Sequence, residues 1–142
     1  MDIDQRQEEI IEEFGMYDDW MEKYEYLISL GKELPLIDED KKVDDNLIVG
    51  CQSQVWLDAQ MEDGKIVFKA DSDAIITKGI ISLMVRVLSH STPKEIIDSD
   101  LYFIDEIGLK EHLSPTRSNG LVSMVKQMQL YALAFQTQKL KQ

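Results

Sequence analysis

Apolar residues near the start of the chain recur at three- and four-residue steps. Ile10, Ile11, Phe14, Tyr17, Trp20, Met21, Tyr24, Leu27 and Ile28 fall on one helical stripe. Gly15 divides this into a short helix and a longer one. Gly31 stops the second, with Pro35 just beyond. Residues 36–45 lose the period and carry five carboxylates, Asp38, Glu39, Asp40, Asp44 and Asp45, which reads as a solvated loop. Their spacing does not fit the alternating calcium loop with its central glycine and terminal glutamate.

The period then changes from helical to two. Val55, Leu57, Ala59 and Met61 alternate with Gln54, Trp56, Asp58 and Gln60, a half-buried strand. Asp63-Gly64 is a tight-turn pair, and Lys65 to Ala70 returns with Ile66, Phe68 and Ala70 on one face. Asn46 to Val49 adds a short strand, giving a small three-stranded antiparallel sheet. Asp71, Ser72 and Asp73 are each candidates to cap the next helix. That helix, Ile75 to Leu88, is apolar almost all round and so is expected to be buried at the centre. Thr92-Pro93-Lys94-Glu95 is a capping box with proline at the first helical position, opening a short helix that ends near Ser99. Leu101 to Leu109 is a linker or short helix. Ser114 to Gly120 reads as a dense turn cluster. A last helix follows from about Ser118 to Gln138, with Leu121, Val125, Met128, Ala132 and Phe135 on one seam. Lys139 to Gln142 is expected to fray. Helices, a small meander and helices again make an α+β fold, helices packed on an antiparallel sheet. With 142 residues, one domain over 1–142 with its core at about 14–136 is expected.

Charge narrows the partners. The formal net charge of −12 comes with no basic stripe, so nucleic acid and anionic membrane surface are poor partners. A protein with a basic patch suits this surface better. No apolar run reaches the roughly 18–20 residues of a membrane span. The acidic start, Met1-Asp2-Ile3-Asp4, lacks a signal pattern, which points to the cytoplasm. There an unpaired cysteine stays reduced.

Chemistry converges on Cys51, the single cysteine. It lies in Gly50-Cys51-Gln52-Ser53-Gln54, outside any apolar run and directly before a strand. A lone thiol there can take a sulfur, a peroxide or an acyl group but cannot close an internal disulfide. Gly50 permits an unusual backbone or a close approach, and Gln52 and Ser53 supply polar neighbours suited to a partner. The plain alternative is an inert buried cysteine, since free thiols are among the most buried groups. A cysteine hydrolase needs a histidine beside the thiol, and His90 and His112 carry no motif for it. One thiol and two imidazoles cannot by themselves build a zinc or iron–sulfur site, and no phosphate-binding glycine loop is present, so neither metal nor cofactor is expected. Arg117, next to a helix start that already favours anions, could pair with a thiolate, a persulfide or a partner carboxylate.

Five segments in order resemble the SufE family of sulfur-acceptor proteins, from roughly Phe14 to Phe135. They are Gly50-Cys51-Gln52-Ser53-Gln54-Val55-Trp56; Gly64 with its strand; Asp71-Ser72-Asp73-Ala74; Lys78-Gly79-Ile80-Ile81; and Leu113-Ser114-Pro115-Thr116-Arg117-Ser118-Asn119-Gly120-Leu121. The resemblance implies a SufE/IscU-like fold. It also implies that Cys51 accepts persulfide sulfur from a pyridoxal-phosphate-dependent cysteine desulfurase of the SufS or CsdA type. The sulfur then goes to an iron–sulfur scaffold complex. Such a protein stimulates a desulfurase without being an enzyme itself, and is a monomer or weak homodimer. Arg117 matches the family arginine, with Thr116 where serine is common. Arg117 and Asp73 are expected to help the loop dock or the thiol react, and Gly50, Gln52 and Ser53 to meet the partner. A transfer thiol of this kind is expected to be tucked away in the free protein, against Val55, Ile66 or Met84, on a loop that can swing out. Two other readings stand beside it, a stand-alone thiol enzyme and a structural interaction domain with an inert cysteine.

Overall fold

The computed structural model describes the backbone of residues 1–141 and the side chains of residues 1–138. Helix α1 spans Ile3–Gly15 and α2 spans Trp20–Gly31. Asp2 opens α1 with a capping box to Gln5, and Asp19 caps α2 at the Glu22 N–H. Strands β1 (Val55–Glu62) and β2 (Lys65–Ser72) form an antiparallel hairpin in which Val55 faces Ser72 and Glu62 faces Lys65. Its two-residue turn puts Asp63 and Gly64 at φ 52° and 80°. This left-handed pair matches the twist of the strands it joins. The buried faces are Val55 and Leu57 from β1 with Ile66, Phe68 and Ala70 from β2.

The sheet has two strands rather than the expected three. Asn46–Val49 does not extend along β1. Asp44–Asn46 is a single 3₁₀ turn, and only Leu47 then bridges to Trp56, with the Ile48 N–H donating to Val55 O at 2.9 Å. The coil of that turn leaves too little extended backbone for a ladder. Isolated bridges Leu36–Ala70 and Ile66–Ser91 flank β2 in the same limited way.

Helix α3 (Ile75–Leu88) is the buried centre and packs on α1, α2, β2 and the last helix, α6 (Pro115–Lys141). Its crossing with α2 is close because two glycines meet there: a Cβ on Gly31 would lie 3.0 Å from the Gly79 nitrogen. Gly31, read from sequence as a stop signal, therefore also sets a helix–helix distance. Beyond α3, the Arg6 guanidinium donates to the carbonyls of Val87, Ser89 and His90 at 2.9, 2.8 and 3.2 Å. It thus occupies carbonyls that the helix end leaves open. Short helices α4 (Pro93–Ile97) and α5 (Phe103–Glu106) follow, the first with the expected Thr92–Glu95 capping box. Helix α6 spans Pro115–Lys141. It begins earlier than the turn-rich composition of 114–120 suggested, because Ser114 caps it: its Oγ accepts from the Arg117 N–H at 3.3 Å. The backbone is helical through Lys141, and Gln142 lies outside the described residues. The core also reaches further toward the N-terminus than Phe14, with Ile3 and Ile10 buried in it. Among the described residues, no helix is long and apolar enough to cross a membrane.

Candidate functional site

Cys51 sits on a short loop whose two ends are tied. On one side the Ile48 N–H donates to Val55 O. On the other, Asp73 meets Gln54 twice: Asp73 Oδ1 accepts from the Gln54 N–H at 3.0 Å, and the Asp73 N–H donates to Gln54 O at 3.3 Å. Asp73 is thus spent on the loop stem. It does not cap α3, whose N-cap residue, Ala74, gives no side-chain hydrogen bond. Asp71 does not cap it either. Its carboxylate is paired with Lys42 Nζ at 2.6 Å and Lys78 Nζ at 3.2 Å. Burial pushes the Asp71 carboxyl up, but these lysines and the Ser72 N–H outweigh it and hold the group below its ordinary range. Lys42 also lies over the Trp56 ring at 5.5 Å, so the acidic 38–45 segment is stapled to the hairpin beside the loop.

Between these ties the chain turns sharply. Gly50 has φ 100°, a conformation glycine adopts without strain. Cys51 is then laid against the second turn of α6. Its thiol lies 3.6 Å from Gly120 O, and a Cβ on Gly120 would sit 3.5 Å from Sγ. The thiol is half-buried, and burial pushes its pKa above the ordinary cysteine value. In this position burial disfavours the thiolate, the nucleophilic form.

A cavity of about 290 Å³ opens beside it. The loop contributes Cys51, Gln52 and Ser53; α3 contributes Thr77 and Ile80; the start of α6 contributes Ser114, Thr116, Arg117, Gly120 and Met124. Ile80 and Met124 are buried and apolar, whereas Gln52, Thr116 and Arg117 are exposed. The Arg117 guanidinium makes no ion pair among the described residues. The expectation that Val55, Ile66 or Met84 lines the thiol's pocket is corrected here: none of them does. Those three lie fully buried in the core, whereas the thiol packs on the second turn of α6, across the cavity from the start of α3. Of the residues singled out in the sequence, Cys51, Gln52, Ser53 and Arg117 line this cavity, Gly50 shapes the loop, and Asp73 holds its stem without lining it.

Thr77, Met124 and Gly120 were not singled out. Thr77 was detectable as the lone hydroxyl in the apolar run from Ile75 to Ile81. Neither histidine lines the cavity: His90 holds a left-handed turn at the end of α3, and His112 stacks on Trp20 at 3.9 Å. Among the described residues, no three His, Cys, Asp or Glu side chains gather as metal ligands.

Comparison with known proteins gives the family and the fold. Residues 8–132 match the family described as SufE, Fe-S metabolism associated domain. The chain is 40% identical over 127 residues to an uncharacterized SufE-like protein of Synechocystis, covering 89% of this chain and 80% of the relative. It is 41% identical over 126 residues to an uncharacterized SufE-like protein of Rhizobium etli, covering 85% of each. A solution structure of a hypothetical protein from Thermus thermophilus shares the fold, with a TM-score of 0.77 and 19% identity over 93% of this chain and 96% of that one. The chain belongs to the SufE family, whose domain is associated with iron–sulfur metabolism.

Proposed function

We propose that this protein accepts sulfur as a persulfide on Cys51 from a pyridoxal-phosphate-dependent cysteine desulfurase of the SufS or CsdA type, and passes it to an iron–sulfur scaffold complex. The observation that carries the reading is the placement of Cys51. The thiol stands on a loop hydrogen-bonded at its stem, with a glycine before it, and the thiol's one hydrogen bond among the described residues is a weak one to Gly120 O.

The transfer is a thiol exchange. The Cys51 thiolate attacks the outer sulfur of the desulfurase persulfide; that S–S bond breaks as the new one forms. The desulfurase cysteine leaves as thiolate, and Cys51 now carries the outer sulfur. No net oxidation occurs, and the step needs no metal or cofactor from this chain. Its rate follows thiolate fraction and access, and both are low while the thiol lies against α6. Swinging the loop out about Gly50 supplies both at once, because the thiol leaves the environment that disfavours its charge. Gln52 and Ser53 then meet the partner. Arg117, at the cavity rim, assists as a cation facing the thiolate or a partner carboxylate, and Asp73 keeps the stem fixed while the tip moves. The acidic surface suits a desulfurase face carrying Lys and Arg. A reducing compartment such as the cytoplasm keeps the thiol competent.

Turnover of cysteine to alanine by a desulfurase, with and without this protein, tests the proposal. Stimulation by the wild type and its loss in Cys51→Ser is the expected result. Equal stimulation by both would sink the transfer role and leave only a docking effect.

A further inference from the structure

We infer that Thr77 makes the cavity beside Cys51 a receptor for the terminal sulfur anion of the Cys51 persulfide, and that Thr77 is a positioning residue for the carried sulfur. This rests on the acceptor reading above and adds where the sulfur sits between partners.

Thr77 is only 6% exposed, yet its hydroxyl makes no hydrogen bond among the described residues. Every fully enclosed side-chain nitrogen or oxygen among those residues has a partner. The Thr77 hydroxyl is therefore not sealed into the core. It opens onto space, and the space Thr77 lines is the cavity shared with Cys51. A hydroxyl with no protein partner that faces a cavity is free to donate to an acceptor placed there.

The terminal sulfur of a persulfide is such an acceptor. It extends about 2 Å beyond Sγ, well within a cavity of about 290 Å³. A hydropersulfide is a stronger acid than its parent thiol, so the loaded group carries negative charge at a pH where the empty thiol is neutral. An anion in a partly apolar cavity needs donors already in place. Thr77 supplies one from the α3 side, and Arg117 supplies positive charge across the rim from α6. Ile80 and Met124 form an apolar floor that limits water around the sulfur. The hydroxyl thus has no protein partner among the described residues in the empty state and an anionic acceptor in the loaded one.

The test uses the full chain loaded at Cys51 in two ways, by a desulfurase with cysteine and by inorganic polysulfide. In the second, the thiolate takes one sulfur and a polysulfide shorter by one leaves. The ionisation of the persulfide is followed by its ultraviolet absorption against pH in the wild type, Thr77→Val, Thr77→Ala and Thr77→Ser, with melting temperatures recorded alongside. Thr77→Val and Thr77→Ala should move the midpoint upward. The anion fraction on the acid side of the transition should fall about tenfold. Thr77→Ser should restore the wild-type midpoint. Identical midpoints in all four proteins would overturn the role of Thr77 and leave the acceptor role standing. Loading by polysulfide but not by any desulfurase would overturn the acceptor role while the midpoints still decide on Thr77. A wild type that takes sulfur from neither source would overturn both.

Discussion

Gly50 rests against Ser123. A Cβ on Gly50 would lie 3.3 Å from the Ser123 Cβ and inside contact distance of its hydroxyl, which itself donates to Asn119 O at 3.2 Å. The φ of 100° at Gly50 adds a second objection to any side chain there. The tip of the thiol loop is therefore held on α6 by the absence of a side chain, and the same feature makes it the point where the loop can be released.

Gly50→Ala should accordingly loosen the tip. Left-handed backbone at a non-glycine residue costs about 1–3 kcal/mol, and the clash with Ser123 adds to it. Both are relieved if the loop lifts away, so most of the effect should appear as exposure of Cys51 rather than as global unfolding. Alkylation of the native protein by a bulky thiol reagent should speed up roughly fivefold or more, with the melting temperature falling by only a few degrees. An unchanged alkylation rate would show that Gly50 does not hold the loop.

Because burial holds the Cys51 thiol above its ordinary pKa, its reactivity should carry a distinct pH dependence. Alkylation of the folded protein should keep rising with pH beyond the point where the unfolded chain has levelled off. The same shift acts on stability. The folded state retains a proton that the unfolded state gives up first, so the contribution is full below the unfolded value and is lost as pH rises through that value toward the folded one. Parallel pH profiles for native and urea-unfolded protein would contradict the burial of the thiol.

Gly79 tests the frame behind the site. A Cβ there would lie 3.0 Å from the Leu27 carbonyl carbon and closer still to its oxygen. Alanine would gain about 1 kcal/mol of helix propensity over glycine, whereas forcing α2 and α3 apart costs about 3 kcal/mol. The clash outweighs the propensity. Gly79→Ala should thus lose about 2 kcal/mol in urea denaturation while leaving Cys51 able to react. A stabilised variant would mean that the two helices separate without cost.

Most of the frame could be read from residue order alone, because the decisive signals were local. Val55 to Met61 alternates, Asp63-Gly64 fits one turn type, and Thr92 to Glu95 satisfies its own helix end. Some misreadings came where a residue had two possible partners and the distant one won. Asp71 and Asp73 look like caps for Ile75, but Lys42 and Lys78 take the first and Gln54 the second. Ser114 reads as one more turn former in a polar cluster, yet it opens α6. Of the site, Cys51 and Arg117 announce themselves by type and motif. Thr77, Gly120 and Met124 do not, since their relevance depends on how α3 and α6 meet the loop, and no spacing along the chain encodes that meeting.

The central claim is that Cys51 carries sulfur. Its most direct measurement is intact mass after incubating the protein with a cysteine desulfurase, pyridoxal phosphate and free cysteine in the absence of reductant. Addition of one or more sulfur atoms, removed by reductant and absent in Cys51→Ser, is the predicted result. No added sulfur with either desulfurase type, or addition that survives Cys51→Ser, would contradict it.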